Sequence, residues 1–269
     1  MNVSLLNSVD TGLDVVDIEG NGEFAARAKQ VRCAVVRMEG MQRLAHAFVE
    51  RPETMLQELV NVAVDLCGAD SAGISMVREN ATEREHFHWV ATAGQYSRFK
   101  DAILPAYPSA CSRCLEYEQP QQIRVRQPFF DLVGIEAPLV TDGILFPWSL
   151  SETQGTIFIL AHGRTEAFDL EDCARMKVFA DFAAMGVRQQ RQQKLLLAQA
   201  RASAAGAMAN DLAHKINNPL QSLTNILYLA ELGYHGEEAR VVGQLAMDDL
   251  RNLSTIVTKL LALHRYAAE

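Results

Sequence analysis

Apolar positions in this chain run at helical spacing, then at strand spacing, then at helical spacing again. Over residues 24–50, Val31, Ala34, Val35, Met38, Met41, Leu44 and Phe48 recur at steps of three and four, which predicts a helix. Pro52 opens a second helix through Leu56, Leu59, Val60 and Val64, and Gly68 after Cys67 supplies a stop. Residues 71–77 (SAGISMV) and 86–93 (HFHWVATA) alternate in part and flank a polar turn at 79–85, so they read as paired antiparallel strands. Residues 122–125, 143–148 and 156–162 read as further strands, 109–118 as a short helix, and Asp169 as the cap of an amphipathic helix over 170–187. This order predicts an α+β domain, an antiparallel sheet with flanking helices.

From residue 188 onward the strand signal disappears. Ala213, Ile216, Leu220, Leu223, Leu227 and Ala230 follow a heptad, as do Leu250, Leu253, Val257, Leu260 and His264, with Gly233–Gly236 the plausible turn between them. An all-α helical hairpin follows. Two helices bury little on their own, so two copies are expected to join as a dimeric four-helix bundle. The expected division is a disordered acidic tail over 1–23, an α+β domain over 24–186, a helical linker over 187–210 and the hairpin over 211–269.

Composition narrows the function classes. The chain is 49% hydrophobic and 22% charged, with a net charge of −8. From Val187 on there are 9 Lys and Arg against 7 Asp and Glu, so the first 186 residues carry the acidity. An acidic front and a near-neutral back argue against nucleic acid as a partner. No run is apolar enough to span a membrane, and the first residues lack a secretory pattern, so a cytoplasmic location is expected. Five scattered cysteines fit a reducing compartment.

His214 is the candidate reactive group. At 100° per residue it lies roughly 140° from the centre of the first heptad seam and so faces solvent. Asn218 and Gln221 follow on the same face, Asp211 lies one turn earlier, and Pro219 stands inside the helix, where a kink is expected. A neutral, exposed imidazole is a competent nucleophile for phosphoryl transfer when a neighbour holds its tautomer. A plain dimerisation coiled coil would show the same periodicity.

The run L-A-H-K-I-N-N-P-L-Q-S-L at 212–223 resembles the phosphoacceptor box of two-component sensor histidine kinases, with His214, Asn218 and Pro219 in register. The resemblance covers about residues 190–266. It implies that His214 accepts a phosphoryl group and passes it to the receiver-domain aspartate of a response regulator, with Asn218 positioning the water that hydrolyses the regulator's phosphoryl group. Two departures stand out. The family's acid after the histidine is replaced by Lys215, leaving Asp211 as the candidate base. No Asn-rich box or D-x-G-x-G loop occurs in these residues, so the chain is not expected to be a stand-alone kinase; a separate kinase ATPase subunit is an expected partner.

The elements over about 40–186, with S-A-C-S-R-C-L-E-Y-E-Q-P at 109–120 and G-T-I-F-I-L-A-H at 155–162, are similar to GAF sensor domains. That resemblance names no ligand, and no cofactor is expected: Ser112 rather than His follows Cys111, unlike tetrapyrrole-binding relatives. Cys111 and Cys114 are half a zinc site, and His86 with His88 is a minimal pair lacking a third ligand, so no metal site is expected. Two alternatives to a phosphorelay remain: a non-catalytic adaptor that binds a regulator or kinase, and a thiol-based redox protein using Cys111 and Cys114.

Overall fold

The computed structural model describes residues 11–77, 86–151, 153–231 and 237–266. The turns expected at 79–85 and 233–236, the first ten residues and the side chains of Ala230, Leu260 and His264 lie outside what is described. The chain separates into two compact units, residues up to Gln192 and Gln193–Glu269.

The first unit is built on a seven-stranded antiparallel sheet. Its strands are β1 (Leu13–Asp17), β2 (Ser71–Val77), β3 (His86–Gly94), β4 (Ile103–Pro105), β5 (Gln121–Val125), β6 (Val140–Leu150) and β7 (Thr153–Ala161), in the order β1-β5-β6-β7-β2-β3-β4. The α-helices of the described residues are α1 (Gly22–Ala25), α2 (Ala34–Glu50), α3 (Met55–Cys67), α4 (Ala110–Tyr117), α5 (Gln127–Val133), α6 (Leu170–Glu231) and α7 (Glu237–Tyr266).

Alternation along the central strands divides the core between two faces. Ile144, Phe146, Trp148, Ile157 and Ile159 join Leu56, Leu59 and Ala63 of α3 and Met176, Phe179 and Ala183 of α6 on one face. The intervening Leu145, Phe158 and Leu160 join Cys111 and Cys114 of α4 and Phe130 of α5 on the other. Gly73 lets these layers close. A Cβ there would clash with the outer end of the Phe158 ring, which reaches β2 only because position 73 has no side chain.

Local chemistry sets the helix ends. The Ser109 hydroxyl accepts from Cys111 N at the start of α4, and Asp169 Oδ1 accepts from Asp172 N at the start of α6. Gly68 ends α3 in the left-handed conformation, with φ +56°.

Two expectations need correction. Residues 11–23 are not a disordered tail: β1 pairs with β5 from Leu13↔Val125 to Asp17↔Gln121, and Asn21 caps α1. Leu13 and Val15 pack on the core while Asp14 and Asp17 meet polar partners, so the edge strand tolerates its acids. Residues 24–50 are not one helix either. The chain leaves the helix after α1 and re-enters at α2, because Arg27 and Arg32 reach buried carboxylates. Arg27 Nη1 donates to Asp142 at 2.8 Å, and Arg32 Nη2 to Asp172 at 2.9 Å; both carboxylates are fully buried. Val31 between them is exposed. Pairing these acids outweighs helical periodicity.

α6 is continuous through the expected linker and through Pro219. In the second unit, α6 half-buries or buries Leu212, Ile216, Pro219, Leu223 and Ile226, and α7 half-buries Val242, Ala246, Asp249, Leu253 and Ile256. Each stripe keeps the three-four step of a heptad but is offset from the expected seam: Ala213, Leu220, Leu227, Leu250 and Val257 are exposed.

Candidate functional site

Two places carry chemistry, one in each unit. In the first, side chains of β1, β3, β4, β5, β6, β7, α4 and α5 line a partly open cavity of about 80 Å³. Trp89 is its central ring: it stacks on Tyr96 with centroids 6.0 Å apart and lies 4.9 Å from Phe158 and 6.3 Å from Phe99. Among the described residues, no Asp, Glu, Lys, Arg or His lines the cavity. The Trp89 indole N–H is buried and has no acceptor among the described residues.

One wall is the irregular stretch through Ile135 and Ala137, and its backbone carbonyls are caught by side chains. Tyr96 Oη donates to Pro138 O at 2.9 Å, and Arg98 Nη2 donates to Glu136 O. His162 Nδ1 meets Leu139 O at 2.9 Å; because a carbonyl only accepts, this nitrogen carries the proton. His162 Nε2 then accepts from the Ser71 hydroxyl at 2.8 Å, and Ser71 Oγ accepts from Tyr96 N. Burial raises the Tyr96 phenol, which stays protonated as a donor.

Cys111 also lines the cavity. Thr156 Oγ1 donates to its Sγ at 3.2 Å, and burial pushes the thiol up despite hydroxyls from Thr156, Ser75 and Ser109. Cys114 is fully buried and its thiol is likewise raised by burial. Neither thiol has the depressed pKa that reactive cysteines need, which weighs against a redox pair. His88 pairs with Asp101 at 3.3 Å, and the described residues hold no group of three potential metal ligands.

In the second unit the expected residues lie on one helix. His214, Asn218 and Asp211 are all exposed on α6. His214 is roughly 160° around the helix from the shielded stripe centred on Ile216 and Leu223. Asn218 is one turn further along the same face. Lys215 Nζ donates to Asp211 Oδ2 at 2.7 Å, so the candidate base is engaged by the residue that follows His214. Sequence reasoning did not assemble the cavity, because Trp89, Phe158 and Ile135 are distant in sequence and carry no shared motif; of the aromatics it reads as core or pocket wall, Phe129 and Phe130 line the cavity and Trp148 does not.

No family model and no curated protein matches the chain. Among solved structures it is similar to the phycoerythrobilin-bound GAF domain from a cyanobacterial phytochrome, at 12% identity over 60% of this chain and 100% of that one, with a TM-score of 0.44. It is also similar to the GAF domain from an Acinetobacter phosphoenolpyruvate-protein phosphotransferase, at 12% identity, 60% and 97% coverage and a TM-score of 0.46. A methyl-accepting chemotaxis protein, residues 122 to 287, gives 17% identity, 59% and 98% coverage and a TM-score of 0.43. None of these likenesses assigns a ligand or a residue role to this chain.

Proposed function

We propose that this chain is a signal-transduction protein of the two-component phosphorelay type. Its first unit is a GAF-like sensor that takes a small molecule in the aromatic cavity, and its second unit presents His214 as a phosphoacceptor. The observation that carries this reading is the exposure of His214, with Asn218 a turn away, on the face opposite the shielded stripe of α6. A lone pair on the ring nitrogen attacks phosphorus, an N–P bond forms, and the bond from phosphorus to the donor oxygen breaks. The reverse step delivers the group to the aspartate of a response regulator's receiver domain.

Pairing of two copies completes the reading. The shielded stripes of α6 and α7 turn toward each other as a hairpin. Leu220, Leu227, Leu250 and Val257, all exposed in the single chain, then meet the partner copy as a homodimeric four-helix bundle. With no nucleotide-binding motif in these residues, the phosphoryl donor is a separate kinase ATPase subunit or a phosphorylated regulator.

One observation favours a second reading, a non-catalytic adaptor. Lys215 occupies Asp211, so the only carboxylate one turn from His214 on its N-terminal side is ion-paired. Incubation with a phosphorylated receiver domain separates the two readings. Phosphoryl transfer supports a phosphoacceptor, while a complex that forms without transfer supports an adaptor.

A further inference from the structure

The irregular stretch 135–139, between α5 and β6, is held by three side chains that grip its backbone carbonyls. Arg98 donates to Glu136 O, Tyr96 to Pro138 O and His162 to Leu139 O. Two of these grips do not change near neutral pH. A guanidinium keeps its charge, and the Tyr96 phenol, raised by burial, stays protonated. The third differs in kind, because histidine is the side chain whose charge ordinarily changes between about pH 5 and 8.

His162 stands just past β7 and joins it to the start of β2. With the proton on Nδ1, the neutral ring carries its lone pair on Nε2, and that lone pair accepts from Ser71 Oγ at 2.8 Å. Ser71 is fully buried, and its oxygen also accepts from Tyr96 N at 3.1 Å. Among the described residues the hydroxyl has no further partner. A second ring proton would sit on Nε2 and point at the hydrogen that Ser71 already aims there. Turning the hydroxyl away leaves a buried donor without an acceptor, and keeping it sets two hydrogens against each other. Either is costly. The ring is half-buried, with Tyr96 stacked on it at 4.9 Å, so the charged form has a path into water. Leaving Ser71 takes Nδ1 away from Leu139 O as well.

The charged groups around the ring do not cancel this cost. Asp70 Oδ2 accepts from the His162 backbone N–H at 2.9 Å, but Oδ1 lies 3.5 Å from Arg164, whose guanidinium also donates to Gly68 O. Arg98 adds a further cation to the stretch, and Glu136 is exposed to water.

We propose that His162 is a proton-operated latch: neutral, it closes 135–139 onto the sheet, and protonated, it lets the stretch go. The latch belongs to the first unit alone and stands whether or not His214 takes a phosphoryl group.

Glu136 is exposed and lies inside the stretch, so a glutamate-specific protease reads its opening in the full chain. When reclosing outpaces cleavage, the rate follows the open population. Cleavage after Glu136 is measured at pH 7.5 and pH 5.5 and divided by the rate on a free peptide of residues 130–142, which removes the protease's own pH dependence. The ratio is expected to rise about tenfold at the lower pH, the equivalent of one lost hydrogen bond, in the natural chain and in His88→Gln. In His162→Gln it stays level. In parallel, ring ¹⁵N spectra of the natural chain are expected to show the Nδ1–H tautomer of His162 at pH 7.5 and the doubly protonated ring as cleavage accelerates. That correlation decides if His162→Gln does not fold. A level ratio in the natural chain, an equal rise in His162→Gln, an equal rise at glutamates outside the stretch, or an Nε2–H tautomer at pH 7.5 overturns the latch.

Discussion

Lys215 and Asp211 form an ion pair across one turn of α6, with Nζ 2.7 Å from Oδ2, directly beside His214. Both side chains are more than half exposed, so the pair is screened by water and salt and holds the carboxylate only partly. An exposed pair of this spacing contributes about 0.3–0.5 kcal/mol, which corresponds to about a twofold change in a rate that needs the carboxylate free. If Asp211 acts on the imidazole proton, Lys215→Gln raises the rate of His214 phosphorylation about twofold, and adding Asp211→Asn takes it below the natural chain. Rapid-quench phosphotransfer measures both. Equal rates in all three proteins remove Asp211 from the chemistry.

The exposed apolar stripe makes a separate prediction about assembly. Leu227 is 67% exposed and Leu220 46%, although both stand at heptad positions. Leu220→Asp with Leu227→Asp places charges in the proposed partner seam but outside the stripe shielded within one chain. The double variant should sediment as a monomer with unchanged helix content, while the natural chain sediments as a dimer. A monomeric natural chain contradicts the bundle.

Acid should weaken the first unit through Asp169. Burial alone would raise this carboxyl, but the backbone N–H groups of Gln30, Asp172 and Glu171, with Arg175 nearby, outweigh it and hold the pKa below the ordinary carboxylate value. A depressed folded pKa gives stability that is present above the unfolded value of about 3.9 and is lost as pH falls through the lower folded value. Asp169→Asn keeps a capping oxygen but no charge. Its urea midpoint should fall less between pH 5 and pH 2 than that of the natural chain, with a deficit of about 1 kcal/mol at pH 7.

Thiol labelling checks the redox alternative. Cys33 is exposed at the start of α2, and the N–H groups of Val36 and Val35 lower its pKa. Burial raises Cys67, Cys111 and Cys114, and pushes Cys173 up to about 12. Iodoacetamide at pH 8 should therefore modify Cys33 in the folded protein and the other four only after unfolding. Rapid native labelling of Cys111 or Cys114 would revive the redox reading.

The sequence was most legible where one physical rule acts alone. Residues 71–77 coincide with β2, and Gly68 ends α3 as its place after Cys67 predicts. The sheet's two faces follow from alternation along β6 and β7. Legibility failed where distant groups override local pattern. Nothing near Arg27 and Arg32 announces that Asp142 and Asp172 will be buried and will pull the chain out of a helix. The acidic stretch around Asp14 and Asp17 gains its strand from pairing with β5, more than a hundred residues later. In the second unit the heptad step was readable but its phase was not. Leu220 and Leu227 compete with Pro219 and Ile226 for the same seam, and the structure shields the latter pair. The exposure of His214 was readable because it stands far from both phases.

The most direct measurement is the intact mass of the full chain after incubation with a phosphorylated receiver domain, followed by peptide mapping. The account predicts one phosphoryl group on the peptide carrying His214, stable in alkali, lost in acid and absent from His214→Gln. Phosphate on another residue, or equal phosphate on His214→Gln, would contradict it.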